Sequence, residues 1–351
     1  MPMESLKTFL MFGLRFPFFM PTPKPISAHF HWIPTQIEKL IQGIGLFSKE
    51  DFDLRSYGWT AVFLTIAASL NYYFTFDDTY LEPLAGTWQG KWGYFLFYGF
   101  AWFSVSIPLL WTLGKKRILL KPQFWIRSVF FIGVIGIDGG MSNVANWLDY
   151  LPVGEIPFWI KKVASKLESV VLWVPVLYVF MKWNEPKLNN GLYGIRWHFE
   201  DLKPFLSMLW VMVPLIAIAS FLPDFQRQYP IYQRIIDYLP FHGAEHWIGI
   251  GLYEISYLLS FISVELMFRG ALVIGMSSLL GRHAILPMVS TYMFLHFGKP
   301  AGEAISSVFG GYILGVLAFQ NRNIWGGIFI HTCVAFLMDM AATTQSFFRS
   351  F

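Results

Sequence analysis

The sequence predicts an all-α fold, a polytopic membrane bundle of about eight to nine transmembrane helices. Three observations carry that expectation. Hydrophobic residues make up 55% of the 351 residues and charged residues only 14%, against about 25% charged in soluble domains. Apolar runs near the length needed to cross a bilayer, roughly 20 residues, recur along the chain. Aromatic residues reach 19%, which suits rings placed at membrane interfaces. A wholly cytosolic enzyme, a disordered chain and a disulfide scaffold are excluded, the last because Cys333 is the one cysteine.

Residues 1–56 read as an interfacial N-terminal arm. Four prolines lie between Pro17 and Pro25, and Phe-rich patches alternate with Lys7, Arg15, Lys24 and Lys39, a pattern for lying on a membrane surface. Residues 57–240 hold the N-terminal membrane helices, expected near 57–75, 93–114, 122–138, 164–183 and 202–222. Residues 241–351 form the remaining helical core, expected near 247–275, 284–298, 303–319 and 325–342. Lys115, Lys116, Arg117 and Lys121 crowd one loop, and Lys182, Lys187, Arg196 and Lys203 another. Basic loops stay in the cytoplasm, so the N-terminus is placed inside and the C-terminus outside. The net charge of +4 follows from these loops, and no nucleic-acid partner is expected. The bilayer is the expected partner.

Ionisable side chains inside membrane segments are costly and mark function. They cluster late in the chain, as Glu254, Glu265, Arg269, His296, His331 and Asp339. Glu265 and Arg269 are one helical turn apart on one face, the spacing of an ion pair. With cytoplasmic helix ends near 275, 284 and 325, a rise of 1.5 Å per residue puts Glu265 ~15 Å deep, His296 ~18 Å and His331 ~9 Å. A carboxylate and two imidazoles thus fall in one layer. Glu254 lies ~16 Å along its helix from Glu265 and cannot share a substrate atom with it. His242, Glu245 and His246 spell H-x-x-E-H, a metalloprotease pattern, yet they sit just after Pro240, about 28 Å of helix from Glu265. They read as an interfacial polar cluster, and no metal or cofactor is expected. Gly311 and Gly315 form a G-x-x-x-G packing face, and Cys333 reads as a small packing residue.

The run Val264-Glu265-Leu266-Met267-Phe268-Arg269-Gly270 resembles the E-E-x-x-x-R-G signature of the CPBP (Abi) intramembrane endopeptidases, which include type II CAAX prenyl endopeptidases. Tyr292 through His296 is similar to the second signature, F-x-x-x-H, and His331 to the histidine of the third. The resemblance covers residues 245–342. It implies glutamate-dependent peptide hydrolysis, with Glu265 and His296 activating water and His331 as an oxyanion donor. It implies in turn a membrane-associated peptide or protein as substrate or partner, and a multi-pass protein of a bacterial cytoplasmic membrane. Three positions depart from the pattern: Val264 replaces the first glutamate, Ala335 an asparagine and Tyr292 a phenylalanine. Lys299, Glu303, Asp339 and Glu254 are expected to support a rearranged site, with Arg269 holding Glu265. The alternative is a non-catalytic scaffold or regulator of a membrane partner.

Overall fold

The computed structural model of the protein describes residues 32–140, 148, 150, 157–185, 191–196, 202–240 and 244–349. Among them every regular element is helical, and the β-bridge between Leu192 and Ile195 only closes a turn. Helix α1 (Trp32–Asp51) leads to α2 (Leu54–Phe74), which begins where the Asp53 carboxylate accepts from Ser56 N at 2.9 Å and ends at left-handed Thr75. A polar turn then reaches α3 (Trp88–Thr112), capped by Thr87. Helix α4 (Pro122–Gly139) opens on a proline, whose missing N–H costs nothing in a first turn. Helices α5 (Phe158–Asn184), α6 (Lys203–Ala219), α7 (Pro223–Gln228), α8 (Gln233–Ile236) and α9 (Ala244–Glu265) follow. The chain ends with α10 (Ile285–Leu295), α11 (Ala301–Asn321) and α12 (Trp325–Arg349).

Five stretches are long and apolar enough to cross a membrane, namely Trp88–Thr112, Phe158–Asn184, His246–Leu295, Ala301–Asn321 and Trp325–Phe348. Helix α6 with α7 and α8, bent by 96°, makes a sixth if the pair is one span. These helices fit an integral membrane protein. The expected segments 57–75 and 122–138 do form helices, α2 and α4, but neither belongs to that set. Arg127 and Asp138 dilute α4 over its 18 residues. The expected segments 247–275 and 284–298 share one helical run.

That run is folded back on itself. Tyr292 follows Arg269 by 23 positions, which is about 35 Å in a straight helix, yet the Arg269 guanidinium lies 4.1 Å from the Tyr292 ring centroid. The reversal occurs over 276–284, where Gly281 takes a φ of +61°. Helix α10 has only 11 residues, about 16 Å of rise, or half a bilayer core.

Hydrogen bonds sort the loops into two ends. At one end Lys115, Arg282 and Gln320 line a common cavity, and Ile324 N donates to Gly194 O at 3.0 Å. There Asp51 Oδ2 accepts from Tyr57 Oη at 2.8 Å, while Arg282 and His283 face Asp51 Oδ1 at 3.5 and 3.4 Å. At the other end Asn71 Nδ2 donates to Phe297 O at 3.1 Å and Tyr72 Oη to Lys299 O at 2.9 Å. The loops around 75–87 and 296–300 therefore meet opposite the basic loops. The arm residues before 32 lie outside the described residues, as does His242 of the H-x-x-E-H run.

Every residue from Leu266 to Gly275 is buried, so this widened continuation of α9 is the axis of the bundle. Its π-type turns redirect backbone carbonyls, and Arg127 Nη1 donates to one of them, Gly275 O, at 2.9 Å. Small residues bring α11 against α10, as G-x-x-x-G faces do. A Cβ on Gly311 would stand 3.0 Å from the Tyr292 ring, and one on Gly315 2.7 Å from Met288.

Candidate functional site

Glu265 sits where α9 changes from regular to wide turns, a location at which functional helices often bulge. One turn on, Arg269 Nη1 lies 2.9 Å from Glu265 Oε1. Both side chains are almost wholly shut off from solvent, at 0% and 1% exposure. No Arg269 nitrogen makes a directed hydrogen bond among the described residues, so the pair is held by charge and by the arginine's position over Tyr292.

Helix α12 supplies the third member. His331 Nδ1 is 2.6 Å from Glu265 Oε1, and His331 Nε2 is 2.8 Å from Tyr292 Oη. A carboxylate only accepts, so Nδ1 carries the hydrogen. Glu265 thereby fixes the imidazole's orientation and tautomer, as carboxylates do for catalytic histidines. The Phe261 ring stacks on His331 at 5.4 Å. Glu265 Oε2 has no hydrogen-bond partner among the described residues.

His296 joins from one side only. Its Nδ1 donates to the Tyr292 carbonyl at 2.9 Å, and its ring centroid is 4.5 Å from that of Tyr292. This bond leaves Nε2 as the proton-accepting nitrogen. Tyr292 therefore stands between His296 and the Glu265–Arg269–His331 group.

The four supporting residues lie elsewhere. Lys299 and Glu303 are 4.0 Å apart, Tyr229 Oη reaches both Glu303 oxygens at 3.3 Å, and Gln228 accepts from Lys299 Nζ at 2.9 Å and Arg234 at 2.8 Å. Asp339 Oδ1 accepts from Ile231 N at 2.7 Å, and the Glu254 carboxyl is its neighbour. These groups gather around α7 and α8, forming a second polar cluster. Among the described residues no three His, Cys, Asp or Glu side chains converge as a metal-binding group.

Outside the helices, Asp77 abuts the 296–300 loop: a Cβ on Gly298 would lie 2.7 Å from its Oδ2. Burial, with Asp78 and Glu82 adding to it, pushes the Asp77 carboxyl up to about 6.

Two contributors are hard to see in the sequence. Tyr292 stands out there only as the aromatic one turn before His296. Gly327 gives no sign of chemistry, yet a Cβ there would lie 2.1 Å from Glu265 Oε2. A signal exists for both: Gly327 precedes His331, and Tyr292 precedes His296, by four residues, which is one helix face.

Fold and site together define a class: an all-helical protein that fits a membrane, with a buried carboxylate, guanidinium and imidazole in its C-terminal half. Comparison with family models, curated proteins and solved structures returns no match.

Proposed function

We propose that the chain is a membrane-embedded hydrolase of the CPBP type, which cleaves a membrane-associated peptide or protein at or within the bilayer. The observation that carries this reading is the 2.6 Å bond between His331 and Glu265, inside a buried pair with Arg269. Burying charges costs several kcal/mol per ion even when paired, so such groups are poor stabilisers; in membranes they serve function. In this reading Glu265 and His296 activate water, His296 through its free Nε2, while His331 stands on the oxyanion side. Low dielectric around Glu265 strengthens each of these electrostatic roles.

We further place the N-terminus in the cytoplasm of a bacterial cell, with the chain crossing its inner membrane eight or nine times, α2 and α4 among the crossings. The gathering of Lys115 and Arg282 at one end supports that orientation.

A second reading, a scaffold or regulator without catalysis, is favoured by Val264 and Ala335 and by the complete burial of Glu265. Purified protein in lipid nanodiscs, offered a pool of quenched fluorescent peptides, separates the two. Cleavage by the wild type and its loss in Glu265→Gln, with folding intact, is the expected result. General-base assistance is commonly worth about 10²–10⁴-fold, so the loss should be at least that large. Equal phenotypes for wild type and Glu265→Gln would leave the scaffold.

A further inference from the structure

Both nitrogens of His331 are committed, Nδ1 to Glu265 at 2.6 Å and Nε2 to Tyr292 Oη at 2.8 Å. A ring so held has no N–H left for a substrate oxygen. The last member of the chain Glu265–His331–Tyr292 is the phenolic hydroxyl, which the Arg269 side chain also faces.

We propose that Tyr292 is a catalytic residue of the hydrolase, its hydroxyl donating to the oxyanion that forms as water attacks a carbonyl carbon. This rests on the hydrolase reading above. A phenol carries one hydrogen and can accept at the same oxygen. Where the Nε2–H of His331 donates to Oη across their 2.8 Å contact, the Tyr292 hydrogen is left for a substrate oxygen. The carbonyl π pair moves onto oxygen as the water oxygen bonds to carbon, and that oxygen accepts from Tyr292 without taking its proton.

The ring is built for a fixed donor. Phe268 meets it edge-on at 5.1 Å, His296 packs at 4.5 Å, and Gly311 leaves a Cβ-sized allowance of only 3.0 Å on its other side. The Arg269 cation lies 4.1 Å from its centroid and holds the ring against α9. Such rigid donors, costing no reorganisation during reaction, are the efficient ones. Ala335, one turn beyond His331, offers no side-chain donor that would substitute.

The test uses the full chain in nanodiscs and the peptide pool that wild type cleaves. Tyr292→Phe removes one oxygen and keeps the ring. Expected is a fall in kcat of about 10²–10³-fold, with KM within twofold and an unchanged melting temperature. A second variant carries 3-fluorotyrosine at 292, a more acidic hydroxyl of nearly the same size; it should change kcat and leave KM alone. A hydroxyl that only positions His331 would leave kcat of the fluorinated protein at the wild-type value, and that result overturns the proposal. So does Tyr292→Phe retaining a third or more of kcat, while loss of activity in Glu265→Gln keeps the hydrolase reading. Absence of cleavage by the wild type overturns both.

Discussion

Gly327→Ala sets two physical rules against each other. Gly327 lies in the first turn of α12, where alanine is favoured over glycine by at most about 1 kcal/mol, the value for a helix interior, so local propensity alone makes the variant more stable. The packing says otherwise, because the added Cβ would lie 2.1 Å from Glu265 Oε2 and 2.8 Å from its Cδ. Ordinary contact is over a full ångström longer, so the carboxylate must turn away from His331 and Arg269. Overpacking a well-filled interior costs about 1–3 kcal/mol, and losing a hydrogen bond to a charged group about 1.5–3 kcal/mol. After the propensity gain, a net loss of roughly 1.5–5 kcal/mol is expected. Gly251→Ala is the control, since nothing lies within 4 Å of a Cβ there, and it should be neutral or slightly stabilising. Thermal unfolding followed by tryptophan fluorescence in detergent measures both. If Gly327→Ala melts with or above Gly251→Ala, the close approach of α12 to Glu265 is wrong.

Arg269→Ala should lower thermal stability by about 3–5 kcal/mol, because it leaves Glu265 buried beside a single partner; unchanged melting with lost turnover would make the arginine a direct participant. Arg127 is 7% exposed, pairs with Glu185 and donates to Asn184 Oδ1 at 2.7 Å and Ser278 Oγ at 2.6 Å. Arg127→Ala should therefore cut the yield of folded protein, and the double change Arg127→Ala with Glu185→Gln should recover part of it. Asp77 binds its proton more tightly in the fold, near 6, than in an unfolded chain, near 3.9. Its contribution is complete below about pH 4 and is lost as pH rises through about 6. Because Asp77 is part-exposed, the effect is on the order of 1 kcal/mol after screening. Asp77→Asn should flatten that slope in melting curves taken from pH 4 to 8, and an unaltered slope refutes the assignment.

The sequence by itself determined the all-helical class of the fold and the pairing of Glu265 with Arg269. Long apolar runs force helices, because a backbone in lipid must satisfy its hydrogen bonds internally, and the expected segments lie on observed helices. Glu265 and Arg269 pair because four residues make one turn, a local relation fixed by helix geometry alone. His331 shares their layer by a depth estimate that needs only helix rise. What depends on contacts between distant segments was not readable. The rotation of α10 about its axis decides that Tyr292, rather than His296, touches His331. The bend after α6 carries Gln228 and Tyr229 inward to Lys299 and Glu303, and so removes those two from the Glu265 layer. Asp339 follows His331 by two turns on its helix, yet its carboxylate accepts from Ile231 N. Sequence spacing fixes position along a helix, whereas the partner across a helix interface depends on how side chains of separate helices interlock, and only the tertiary structure decides that.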